Sequence, residues 1–137
     1  MLFRSLDAHF RALIAVKEAA IVAPDRDNLD RYTDANRKVQ PATPKNPRIV
    51  FMGDSITDVW RLNEYFPDRD FINRGISGQV TSQMLARFKA DVLDLRPDAV
   101  LILGGTNDLA RNVPLVAIEN NYQVMSDLAS LYRSSTR

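Results

Sequence analysis

The stretch Arg48-Ile49-Val50-Phe51-Met52-Gly53-Asp54-Ser55-Ile56-Thr57-Asp58 decides the architecture. Ile49–Met52 is a short, unbroken apolar run closed by glycine and two polar residues, the pattern of a buried strand that turns sharply at its carboxyl end. Two further runs repeat it. Phe71–Ile72 leads into Asn73-Arg74-Gly75-Ile76-Ser77-Gly78, and Ala99–Leu103 leads into Gly104-Gly105-Thr106-Asn107-Asp108. Between the runs lie helical periodicities. Met84, Phe88, Val92 and Leu95 share one face, and Ile118, Tyr122, Met125 and Leu128 share another, with Pro114 placed for the first turn. Strand alternating with helix specifies a parallel sheet covered on both faces, so the expected fold is a doubly wound α/β layer structure.

Working toward the amino terminus, Gln40–Pro47 holds three prolines in eight residues and reads as an extended connector. Before it, Leu6, Phe10, Leu13, Ile14 and Ile21 form a helical stripe with Ser5 as N-cap. A weaker helix is expected from Asp25 to Val39, with Leu29 and Tyr32 turned inward. Residues 1–47 thus form a helical extension and connector to one domain. Working toward the carboxyl terminus, the sheet reads as unfinished: three strands are legible, and the last helix should deliver a fourth. The expectation is a single, incomplete domain over residues 1–137.

Composition narrows the chemistry. Eighteen basic residues against seventeen acidic ones give a net charge of +1, and no basic cluster marks a nucleic-acid surface. The absence of cysteine removes disulfides, thiolate metal sites and a cysteine nucleophile. His9 is the one histidine. A metal-dependent hydrolase or deaminase is not expected, for want of ligands. No apolar run reaches the ~18 residues of a membrane span. Lys17 and Glu18 interrupt the nearest candidate for a secretory segment, so the expected location is the cytoplasm.

Functional groups of open α/β sheets gather at the carboxyl ends of the strands, where all three polar segments fall. Ser55, at a strand-to-helix turn, is the candidate nucleophile, with the helix N-terminus favouring negative charge beside it. Taken alone, the loop reads first as placing an N-cap for the next helix, because Ser and Asp are the usual capping residues. Gly75 offers an unobstructed backbone N–H to a developing oxyanion, or is a plain turn glycine. Asn107 offers a side-chain amide to the same oxyanion, or belongs with Asp108 to a turn.

Phe51-Met52-Gly53-Asp54-Ser55-Ile56-Thr57-Asp58 closely resembles the first block of the SGNH hydrolases, also called GDSL esterases and lipases. Asn73-Arg74-Gly75-Ile76-Ser77-Gly78 resembles their second block, and Gly105-Thr106-Asn107-Asp108 their third. The resemblance covers roughly residues 48 to 135. It implies a flavodoxin-like sheet, hydrolysis of esters without a cofactor, and Ser55 as nucleophile. The Ser55 and Gly75 amides and the Asn107 side chain would form the oxyanion hole. Asp54, Gly105 and Thr106 are the expected substrate contacts. One block of the family is missing: no D-x-x-H follows the third block, and Asp7-Ala8-His9 is not that motif.

The expected function is therefore that of a serine carboxylesterase, lipase or acetylesterase, truncated before its catalytic Asp and His. The alternative is a scarcely active protein of the same fold that binds carbonyl ligands and self-associates. Both readings expect a homo-oligomer, or complementation by a missing carboxyl-terminal fragment, because Ala99–Leu103 would be an open apolar edge.

Overall fold

The computed structural model describes residues 23–135 continuously and a few single positions between residues 8 and 19. Ser5, His9 and the stripe from Leu6 to Ile21 lie outside the described residues. A 3₁₀ turn, Leu29–Tyr32, runs directly into α1, Thr33–Arg37. The continuous helix expected from Asp25 does not form. Asn28 adopts a left-handed φ of 58°, and the Asp25 carboxylate accepts the amides of Leu29 and Asp30 at 2.6 and 3.2 Å. That closes a turn where a helix would need αR geometry. Leu29 accordingly points outward, 44% exposed, while Tyr32 is half-buried. The connector also folds back on itself, with Thr43 and Asn46 forming a bridge.

Beyond the connector the alternation is regular. β1, Ile49–Gly53, is followed by the single turn α2, Ser55–Asp58, and by α3, Leu62–Tyr65. Next come β2, Phe71–Gly75, and α4, Thr81–Asp91, which ends in a 3₁₀ turn at Leu93–Leu95. The chain continues through β3, Ala99–Leu103, α5, Thr106–Ala110, and α6, Leu115–Ser135. The sheet is parallel in the order β2-β1-β3, with Gly53 opposite both Gly75 and Leu103. This is the doubly wound α/β fold with flavodoxin-like order that the sequence implied. The register brings all three polar loops to one edge.

Each face of the central strand has its own cover. Val50 and Met52 bury themselves against Met84 and Phe88 of α4, Val92 just beyond its end, and Met125 of α6. Full burial of each such side chain contributes roughly 1.5–3 kcal/mol. On the opposite face, Phe51 packs edge-on against Trp60 at 5.4 Å and tilted against Phe71 at 5.3 Å, and Phe66 extends the cluster. This aromatic cover stops short of β3. Leu101, which pairs with Phe51 and so shares its face, is 43% exposed, and Leu103 is 40% exposed. No described helix is long and apolar enough to cross a membrane.

Candidate active site

Loop one is set by Asp54. Its side chain accepts from the Ile56 amide at 3.0 Å and its carbonyl from the Asp58 amide at 2.9 Å, so Asp54, not Ser55, caps α2. Asp54 is buried and engaged in that bond, which places it beneath the turn and out of reach of a substrate. Ser55 is the first helical residue and is exposed, with neither its hydroxyl nor its amide bonded to any described residue. The helix behind it is one turn long, so few peptide dipoles align and its macrodipole contributes little. Gly53 is required by crowding: a Cβ there would stand 2.1 Å from Thr57 Oγ1 and 2.8 Å from the Leu103 carbonyl.

Loop two divides its glycines differently from the sequence expectation. Gly75 is buried, and its N–H donates to Asn73 Oδ1 at 2.8 Å. Asn73 in turn donates to the carbonyls of Thr57 and Trp60 at 2.6 and 2.9 Å, tying β2 to α2. The Gly75 amide is therefore committed inside the sheet. Gly78 has the properties assigned to Gly75. It is exposed, adopts φ +81°, would meet nothing within 4 Å if given a Cβ, and bonds its amide to no described residue. The signal was present in the sequence, since a Ser-Gly pair in the turn after a strand is where positive φ is expected.

The two glycines should respond differently to alanine. In Gly75→Ala the new methyl would lie 2.1 Å from the Asp58 backbone nitrogen, which cannot give way. The expected loss is at or above the top of the ~1–3 kcal/mol typical of overpacking. Gly78→Ala meets only the left-handed backbone cost, about 1–2 kcal/mol. Urea midpoints of the two variants measure the difference, and equal losses would contradict the assigned roles.

Loop three is joined to loop two. Asn107 Nδ2 donates to the Gln79 carbonyl at 3.0 Å, which leaves its second amide proton uncommitted. Asp108 is buried and receives the Thr81 amide at 2.9 Å and the Thr81 hydroxyl at 2.6 Å, so it caps α4. Gly105, at φ 97°, is the buried residue that begins α5, and Thr106 beside it is exposed at the open edge. Loop two is also joined to loop one, because Asp58 accepts from both the amide and the hydroxyl of Ser77, at 2.9 and 2.6 Å. Ser55, Gly78 and Asn107 thus each keep a free donor on one of these loops, among neighbours such as Asn73, Ser77 and Asp108 that are engaged.

Beneath the edge lies a buried cation that sequence reasoning did not single out. Arg87 is fully buried. It donates to Gln79 Oε1 at 2.6 Å, Asp91 at 3.0 Å, the Arg74 carbonyl at 2.8 Å and the Gly53 carbonyl at 3.3 Å. It therefore fixes the ends of β1 and β2 at once. Burial pushes its pKa below the usual guanidinium value, opposed by the hydrogen bond to Asp91. The Arg87–Asp91 spacing of one helical turn was legible, but the two strand carbonyls were not. Among the described residues no cluster of His, Asp and Glu is arranged to hold a metal ion.

A parallel sheet with a serine at the first strand's turn and free donors on the next two loops defines an α/β domain of the acyl-hydrolase type. The chain belongs to the GDSL-like lipase/acylhydrolase family, whose model matches residues 51–136. A solved GDSL-like lipase from Bacteroides thetaiotaomicron superposes with a TM-score of 0.71 at 37% identity, over 77% of this chain and 54% of that one. Acetylxylan esterase of Geobacillus stearothermophilus is 27% identical over 64% of this chain and 51% of its own. The human platelet-activating factor acetylhydrolase IB subunit alpha2 is 32% identical over 63% of this chain and 40% of its own. The chain spans about half the length of the relatives it matches.

Proposed function

We propose that this chain carries the nucleophile and the oxyanion-binding groups of a serine ester hydrolase acting on short-chain acyl esters, acetyl esters foremost. The observation that carries the reading is the exposed Ser55 hydroxyl, bonded to no described residue, on an edge where the next two loops carry the free Gly78 amide and a free Asn107 amide proton. Ser55 Oγ bonds to the ester carbonyl carbon while its proton passes to a base. The carbonyl oxygen becomes an oxyanion received by the Ser55 amide, the Gly78 amide and Asn107 Nδ2. Gly78 replaces Gly75 in this set because the Gly75 amide is already donated to Asn73. Collapse expels the alcohol, and water then releases the acyl group from Ser55 by the same route. The acetyl preference rests on the two relatives whose names specify that group.

The base is drawn from polypeptide outside the described residues. A serine hydroxyl is a weak nucleophile until its proton is taken, and the sequence contains no D-x-x-H after Asn107. We assign that Asp and His to a further stretch of chain that packs beside β3. The apolar strip of Leu101 and Leu103 supports this; on the other face of β3 a groove of about 860 Å³ is lined by Val100, Ile102 and Ala129 together with the charged Arg96, Asp98 and Arg133. The same open edge supports a second reading. A second copy would pair there, and the chain would bind carbonyl compounds without turnover.

Incubation with a fluorophosphonate, followed by intact-mass measurement and peptide mapping, separates the two. An adduct on Ser55 means that a base reaches it; an unmodified mass in an assembly that includes the stretch supplying the Asp and His sinks the hydrolase reading. In an assembly that turns over, Asn107→Ala should lower kcat by about 10²–10³-fold with little change in KM, because its amide acts on charge that develops only in the transition state. A change confined to KM would make Asn107 a substrate contact alone.

A further inference from the structure

Residues from Asp25 to Arg37 belong to neither the sheet nor the helices that cover it, yet their polar groups converge on loop two. Gln79 follows Gly78 directly and is buried. Its Oε1 accepts from Arg87, and its Nε2 donates to the Asp27 carbonyl at 2.9 Å and to Asn28 Oδ1 at 3.3 Å. Its own carbonyl is the acceptor that orients Asn107. At the other end of the loop, the Tyr32 hydroxyl donates to the Gly75 carbonyl, and the Arg74 guanidinium lies over the Tyr32 ring, 4.6 Å from its centroid. Asn36 extends the hold by joining Arg74, at 2.9 Å, to Asp91, at 2.7 Å. The loop from Gly75 to Gln79 is therefore gripped at both ends by the amino-terminal segment, with Gly78 between the two grips.

We propose that the Asp25–Arg37 segment is the positioning element of the oxyanion loop, acting through Gln79 and Tyr32. This inference rests on the assignment of Gly78 and Asn107 as oxyanion donors. Gly78 needs such support, since it has no side chain and nothing near its Cα direction to hold it. Preorganised donors act only when held within about 0.5 Å of the productive geometry. A displacement of ~1 Å can cost on the order of 10²-fold in rate. Gln79 meets the need with one side chain that faces the amino-terminal turn and a carbonyl that faces Asn107. Tyr32 and Gln79 are thus positioning residues that touch no reacting atom.

Gln79→Glu in the full chain tests this. A glutamate still accepts from Arg87 but cannot donate to the Asp27 carbonyl and sets a carboxylate oxygen against it, so it breaks the amino-terminal grip while keeping the Arg87 bond. In ¹⁵N-labelled protein, the Gly78 backbone amide and the Asn107 side-chain amide should both shift. The bonded Asn107 proton should exchange at least about tenfold faster, while the Val50 and Met52 amides keep wild-type protection. Shifts confined to Asp27 and Asn28, with Gly78 and Asn107 unmoved, would overturn the proposal. If Gln79→Glu also strips protection from Val50 and Met52, Tyr32→Phe decides by the same signals, since it removes one oxygen and keeps the ring beneath Arg74. In an assembly that turns over, either variant should lower kcat about tenfold at constant KM. Failure of Ser55 to react even in an assembly that supplies the base would defeat the hydrolase reading and leave the resonance result standing.

Discussion

Ser55→Ala should erase fluorophosphonate labelling and ester hydrolysis in any assembly where the wild-type chain reacts, and should leave stability within about 0.5 kcal/mol of wild type. The two halves of that expectation have separate causes. The hydroxyl is exposed and bonded to no described residue, so nothing in the fold depends on it. The turn that presents it is held by Asp54 and by the fit of Gly53 against Thr57, which the substitution does not touch. The chemistry, by contrast, loses the atom that forms the covalent intermediate. What persists is at most the ~10³–10⁴-fold over water that an oxyanion site and binding supply without a nucleophile. Labelling that survives in Ser55→Ala would move the reactive group elsewhere. A large fall in melting temperature would mean that Ser55 is structural.

Arg87→Met should have the largest effect on stability, a loss of roughly 3–5 kcal/mol. Methionine fills much of the volume but cannot donate. Asp91 would then keep a buried carboxylate bonded only to Asn36, and the carbonyls of Gly53 and Arg74 would lose a shared donor. Gln79 would lose the bond that fixes its Oε1. A domain of this size is stable by ~5–15 kcal/mol in total, so the variant should unfold at a much lower urea concentration. Arg87→Met/Asp91→Leu should recover part of the loss by removing the orphaned charge with its partner. If Arg87→Met shifts the urea midpoint by less than the equivalent of about 1 kcal/mol, the guanidinium is not the hub described.

Much of this was legible in the sequence because it depends on local pattern. The apolar runs at Ile49, Phe71 and Ala99 became strands, extended by one to three residues in the first two. The helical stripe of Met84, Phe88, Val92 and Leu95 is buried as its spacing implied, though the helix tightens to a 3₁₀ turn before Leu95. The order of the three polar blocks, each after a strand, gave the family and the position of Ser55. Periodicity and turn chemistry act over a few residues, so they survive in a one-dimensional reading.

The part that was not legible depends on individual hydrogen bonds, some between residues two apart and some across the fold. Gly75 and Gly78 are both glycines of one short loop, and the sequence offers no means of knowing that Asn73 takes the amide of the first. Asp54 reads as a polar group at a site, until its burial and its bond to Ile56 make it a cap. Tyr32 lies 43 residues from the carbonyl it bonds, and Asp27 lies 52 from Gln79. By itself the sequence determined the layer architecture, the strand order of the blocks and the serine at the first turn. Only the tertiary structure decided which amides of these loops are occupied and which remain free. A donor's availability is set by every acceptor within about 3 Å of it, and pattern and spacing do not say which side chain, near in sequence or far, supplies that acceptor.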